Sequence, residues 1–349
     1  MNGIQNASWY ASRLRQELGV LNQRYAQGRA HVESYGNPSV IVYAPEYCTS
    51  GDLTDGNALV EERHGNFFDA AYASIMARPE WMRRFNKVHT QGSRSLPRAE
   101  RRWRELDSSM SSDALLMNVF CAPGVAESSA VRNALGVDGE SAPVFGWKAR
   151  VPLSSGRFDR TEVDMRWGSL LVEAKLTEGD FQSRETAIVE GYRDFDAVFD
   201  REMLPKIQMP PKRRKERSEF PEIYSQEFES LIDTTAERTL DAGLGFDGNE
   251  SGEAAYAHYQ LIRNVLAAHA GGCSFCVVHD ERRPDLREEW FRVMAAVKSA
   301  DLRVRMKVLT WQELCAFVPD ELQDFLDLKY GIVAPGKAAS PVGEVTDLE

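Results

Sequence analysis

Cysteine is scarce in this chain: five residues in 349, at 48, 121, 273, 276 and 315, an odd number without regular spacing. That pattern does not build a disulfide framework. Six histidines form no H-x-H or HExxH pairing, which removes the commonest zinc-protease signature. Cys273-x-x-Cys276 has no second ligand pair at suitable spacing and flanks Phe275 in an apolar run, so buried structural thiols are expected there. No stretch approaches the roughly 18 apolar residues of a membrane span. The opening MNGIQNASWYASRLRQEL contains no apolar signal core. A cytoplasmic protein without membrane contact is expected. There is no P-loop and no G-x-S-x-G, so NTPase and serine-hydrolase chemistry lack support.

What is present is an ordinary globular composition, 43% hydrophobic and 27% charged, too apolar for a disordered chain. The net charge of −11 argues against a general polyanion binder, but it hides two basic islands. Residues 78–105 hold nine Arg or Lys against three acids, and residues 205–217 hold six against Glu216 alone. Such segregation places positive surface on an acidic protein. Trp81, Phe85 and Trp103 interleave with the first island. That mixture suits either a nucleic-acid groove or amphipathic helices packing aromatics beneath a charged face.

The most informative stretch is 158–176, FDRTEVDMRWGSLLVEAKL. Two alternating runs meet at Gly168-Ser169, the signal of a two-residue hairpin with glycine at the position needing positive φ. The register then sets Trp167 opposite Leu170, Arg166 opposite Leu171 and Asp164 opposite Glu173. Side chains alternate along a strand, so Glu162, Asp164, Glu173 and Lys175 share one face. Val163, Met165, Val172, Ala174 and Leu176 share the other. Directly opposed residues have Cβ atoms about 4.5–5.5 Å apart. Two carboxylates at that separation repel, and a divalent cation between them would relieve the repulsion. The bland alternative is a solvated charged face.

Around the hairpin the periodicities predict helices over 8–30, 67–77, 79–87, 99–106, 108–121, 126–137, 253–270, 285–299 and 311–317. Strands are expected over 38–45, 144–153, 273–279 and 304–310. Residues 49–57 read as a polar loop, 180–250 as a polar insertion with a basic Pro-rich centre, and 334–349 as a disordered tail. The expected organisation is a mainly helical N-terminal region, 1–107, packed on an α/β core, 108–333. That core carries a mixed sheet with helices on both faces. His64 is expected to cap or pack rather than to ligate.

Asp164 followed by Glu173-Ala174-Lys175, on adjacent strands after a buried helix, resembles the PD-(D/E)xK nuclease superfamily. HGNFFDA at 64–70, SSDALLMNVF at 111–120, VEAKLTE at 172–178 and YQLIRN at 259–264 resemble a restriction-endonuclease-like bacterial group. Val163 stands where the motif has proline. The resemblance implies a restriction-endonuclease-like α/β fold and a metal-dependent DNA endonuclease. Asp164, Glu173 and the Ala174 carbonyl would hold Mg²⁺, with Mn²⁺ as a substitute, and Lys175 would contact the attacking water. Glu162, Gln260 and Asn118 are supporting candidates, and Asp113 shares with Asn118 the candidacy for the place of the helix glutamate that some members contribute. Arg101, Arg102, Arg213, Arg214 and Arg263 are the candidate contacts to the DNA backbone. Cutting both strands of a palindrome would favour a homodimer. The rival readings are a catalytically silent DNA-binding protein on the same fold and a structure-specific repair nuclease or RNase.

Overall fold

The computed structural model describes residues 2–34, 39–50, 59–87, 104–139, 141–209 and 254–337. The N-terminal part comprises α1 (Asn2–Tyr25), β1 (His31–Glu33), β2 (Ile41–Tyr43), β3 (Pro45–Ser50), β4 (Leu59–His64), α2 (Asp69–Met76) and α3 (Pro79–Phe85). Beside its three helices, the described part of this region holds four strands. β1 pairs with β2, and β3 pairs with β4 from Pro45↔His64 to Ser50↔Leu59. Of the polar loop expected over 49–57, Thr49 and Ser50 belong instead to β3, whose backbone pairs with β4; residues 51–57 lie outside the described residues. Trp81 and Phe85 are core residues, 4% and 1% exposed, so packing accounts for these two aromatics. Trp103 lies outside the described residues.

The second part begins with α4 (Ser112–Phe120) and α5 (Ser129–Leu135), followed by β5 (Val144–Pro152), β6 (Phe158–Trp167) and β7 (Leu170–Ala174). Next come β8 (Ser183–Glu185), α6 (Thr186–Val189), α7 (Phe195–Val198), β9 (Lys206–Gln208) and β10 (Ala254–Ala257). The chain continues with α8 (Tyr259–Gly271), β11 (Ser274–His279), α9 (Pro284–Ala295), α10 (Ala300–Arg303), β12 (Met306–Thr310), α11 (Trp311–Cys315) and α12 (Asp320–Tyr330). The central sheet has the order β12-β11-β7-β6-β5. β5, β6 and β7 are antiparallel neighbours, whereas β7, β11 and β12 run parallel. It is a mixed sheet flanked by helices, as a restriction-endonuclease-like fold requires. Among the described residues no helix is long and apolar enough to cross a membrane.

Two apolar clusters cover its faces. One joins α4 to Met165, Trp167, Val172, Ala174 and Cys276 and extends to Leu14 and Leu18 of α1. The other joins α8 and α9 to Leu171, Phe275 and Val277. The segment 181–204, read as the start of an insertion, contributes Phe181, Val189, Tyr192, Phe195 and Phe199 to this second cluster. The remainder of that stretch, 210–253, lies outside the described residues, as does most of the tail. Ala334, however, is buried in the first cluster, so the tail is packed at its root.

The hairpin register is as the turn residues dictate: Trp167↔Leu170, Arg166↔Leu171 and Met165↔Val172. Gly168 takes φ +60°, which Ser169 does not share. The ladder stops there, one step short of Asp164↔Glu173. On the other side, β5–β6 pairing passes from Phe145↔Met165 to Trp147↔Val163, skipping Asp164 and Gly146. Gly146 has φ +63°, a left-handed conformation open to glycine at little cost. The irregularity breaks the expected alternation, because Val163 packs in the second cluster while Met165 packs in the first.

Candidate functional site

Glu173 lies near the end of β7 and Lys175 follows it by two residues, so strand geometry puts both on one face. Their side chains form an ion pair, Nζ to Oε1, of 2.9 Å, and both residues are buried, 3% and 5% exposed. The Lys175 main chain is fixed by its N–H donating to Val278 O and its carbonyl accepting from Trp311 Nε1. Asp164, half-buried, does not pair across the ladder with Glu173. Its Oδ2 accepts instead from the Ala174 N–H at 2.8 Å.

Helix α8 completes this arrangement. The N–H groups of Tyr259 and Gln260 donate to Gln182 O and Phe181 O, so the exposed donors of the helix start are met by a neighbouring segment instead of a side-chain cap. This fixes Gln260, whose Oε1 accepts from Lys175 Nζ at 2.9 Å. One turn further, Asn264 Nδ2 donates to Glu173 Oε2 at 2.9 Å. Asn264 Oδ1 is buried and has no hydrogen-bond partner among the described residues. The sequence reading misses Asn264. Its signal is a second amide four residues after Gln260, on the inward side of an otherwise apolar helix.

Three acids crowd the centre. Burial, then the charge of Glu173 and that of Asp113, push the Asp164 carboxyl well above the ordinary carboxylate range, against the pull of Lys175 and Arg84. Burial alone would lower the Lys175 ammonium, but Glu173, then Glu178 and Asp164, outweigh it and hold Lys175 above its usual value. Lys175 is a cation throughout the physiological range.

The register predicts Glu162 opposite Lys175. It stands instead beside Arg84 Nη1 at 2.5 Å and Lys87 Nζ at 3.0 Å, because the β6–β7 ladder ends before reaching it. Burial would raise its pKa, yet the two cations keep it lowered. Asn118 is not at the centre: its amide accepts from Phe68 N and donates to Asn66 O, stapling α4 to the loop before α2. Asp113, on the first turn of α4, is the helix residue that does reach the centre, held by Arg84 Nη2. Arg263 stacks on Tyr259, its Cζ 5.1 Å from the ring centroid. Arg101, Arg102, Arg213 and Arg214 lie outside the described residues. His64 is buried among Phe67, Tyr72 and Phe85, with Nε2 3.1 Å from Asp107. Burial lowers its pKa. Cys273 and Cys276 are buried free thiols.

The donor set suits a hard divalent cation. Asp164 retains an oxygen outside its bond to Ala174, and each Glu173 oxygen keeps a second lone pair. Among the described residues no group of three or more His, Cys, Asp or Glu is assembled as a metal cage. Two carboxylates with water and substrate phosphate are the usual environment of Mg²⁺.

A family model described as "Restriction Endonuclease associating with ARP" matches residues 29–331. No curated protein and no solved structure matches the chain.

Proposed function

From the membership of this chain in the family of restriction endonucleases associating with ARP, we propose that it is a metal-dependent DNA endonuclease of PD-(D/E)xK type with its centre at Asp164, Glu173 and Lys175. The observation that carries the reading is the Glu173–Lys175 ion pair set beside a carboxyl whose charge burial and two neighbouring acids disfavour. Asp164, Glu173 and the Ala174 carbonyl would hold the ion. When bound, Mg²⁺ supplies Lewis-acid polarisation of the scissile phosphate.

The chain's own residues do the rest. Lys175, cationic and pinned between Glu173 and Gln260, offers its N–H groups to the attacking water and to the charge that develops on the phosphoryl oxygens. Held above its usual pKa by Glu173 in the metal-free protein, it is suited to orienting and stabilising more than to taking a proton. Asn264 and the Ala174 N–H fix the two carboxylates, so little reorganisation is needed as substrate arrives. Arg263 and the cations of the basic islands other than the buried Arg84 would contact the DNA backbone, giving salt-dependent affinity without sequence information. Products with 5′-phosphate and 3′-hydroxyl ends are expected. A symmetric dimer would place two such centres on opposite strands.

The test is cleavage of supercoiled plasmid and single-stranded DNA with Mg²⁺, Mn²⁺ or EDTA, comparing wild type with Lys175→Ala and Asp164→Asn. Metal-dependent cutting lost in both variants supports the reading. A wild type that binds DNA in a salt-dependent way yet never cuts would replace it with the silent binding protein. Neither cutting nor binding would remove it.

A further inference from the structure

Arg84 brings a positive charge from α3 into the acidic centre. Its side chain is 6% exposed, and its guanidinium bridges Asp113 on α4 to Glu162 on β6. Burial would lower its pKa, but Asp113 first, then Asp164 and Glu162, hold it higher still. Room for it comes from Gly146. A Cβ there would lie 3.0 Å from Nη1 and 3.4 Å from Cδ, against a backbone already at φ +63°. Gly146 is the residue that the β5–β6 ladder skips beside Asp164. A planar, permanently charged group thus occupies a cradle between two carboxylates, within the field of Asp164.

Resting on the metal reading above, we infer that Arg84 is a built-in cation that takes the place of a second divalent ion, so the centre holds one ion and not two. Asp113 and Glu162 have oxygen donors fit for a metal, and both stand on the guanidinium that lies in the field of Asp164; as placed around Arg84, the described residues gather no three such donors into a metal cage. With the guanidinium bridging the two carboxylates, their charge is already met. A further dication there would face a fixed positive charge at close range. Arginine suits the task because its fork spans two carboxylates and does not deprotonate. Lys87, 3.0 Å from Glu162 and 3.1 Å from Glu105, reinforces the same sign.

The experiment is a Mn²⁺ titration of the full chain without DNA, read by the electron paramagnetic resonance of free Mn²⁺, with wild type, Asp164→Asn and Arg84→Met. One ion per chain in the wild type, lost in Asp164→Asn, and two in a folded Arg84→Met are the expected results. Two ions in the wild type would overturn the inference and leave the metal reading standing. No bound ion would remove the metal reading and the inference with it. A folded Arg84→Met that still takes only one ion would also overturn the role given to Arg84. Folding is checked by circular dichroism and thermal melting. Should Arg84→Met not fold, the wild-type stoichiometry still decides between one ion and two.

Discussion

Asn264 and Gln260, one turn apart on α8, grip the two members of a single ion pair: the first donates to Glu173 and the second accepts from Lys175, each at 2.9 Å. The helix therefore fixes the carboxylate and the ammonium separately, and the two contacts are separable by substitution.

Asn264→Ala frees Glu173 Oε2. The metal concentration for half-maximal cleavage is expected to rise about 10–100-fold, as for other groups that orient a ligand, with the saturated rate changed less. Gln260→Ala acts on Lys175 and is expected to lower the saturated rate with the metal requirement little altered. Cleavage rates against Mg²⁺ concentration for both variants check this. The same shift in both variants would contradict the division of labour.

Asp164 ionises at about pH 3.9 in an unfolded chain, but at a higher pH in the native protein. Between those values the native state holds the extra proton, so stability falls as pH rises through the window, and the loss persists above it. Asp164→Asn removes the penalty. The metal-free variant should melt above the wild type at neutral pH, the two converging below about pH 4. Thermal melts across pH measure it, and a variant less stable at neutral pH would count against the crowded-acid account.

Mg²⁺ binding to the native state alone should raise Tm. An ion at a hundredfold excess over its Kd contributes about 2.7 kcal/mol. The rise should be present in the wild type and absent in Asp164→Asn. An equal rise in both would place the ion elsewhere.

Arg283, fully buried, donates to the carbonyls of Leu176, Glu178 and Gly179 and pairs with Asp285. It ties down the segment that follows Lys175. Arg283→Ala would leave Asp285 and those carbonyls without their donor, a loss of about 3–5 kcal/mol by analogy with broken buried pairs. Denaturant unfolding reports the value, and a loss below about 1 kcal/mol, the scale of an exposed pair, would show the segment to be held otherwise.

The hairpin and its turn were legible because they are local: Gly168-Ser169 and strict alternation specify register without reference to the rest of the chain. Extrapolating that register failed at Glu162, since the β6–β7 ladder ends at Met165↔Val172, next to the point where the β5–β6 ladder skips Asp164 and Gly146. Arg84 and Asn264 were not legible for a different reason. They meet their partners across 78 and 91 residues of sequence, and nothing local marks an arginine between Trp81 and Phe85 as buried. Gln260 was reachable because its motif placed it on the helix entering the core. The β3–β4 hairpin was missed because neither strand carries a clean two-residue period.

Helix α1 lies before the matched span, which opens at residue 29, yet it is built into the structure that bears the centre. Asn22 donates to Lys329 O and accepts from Lys329 Nζ, Leu14 and Leu18 join the cluster beneath β7, and Arg15 donates to Thr177 O two residues beyond Lys175. Helix α1 is therefore part of the scaffold of the centre itself, and trimming this chain to residue 29 should cost solubility and cutting together.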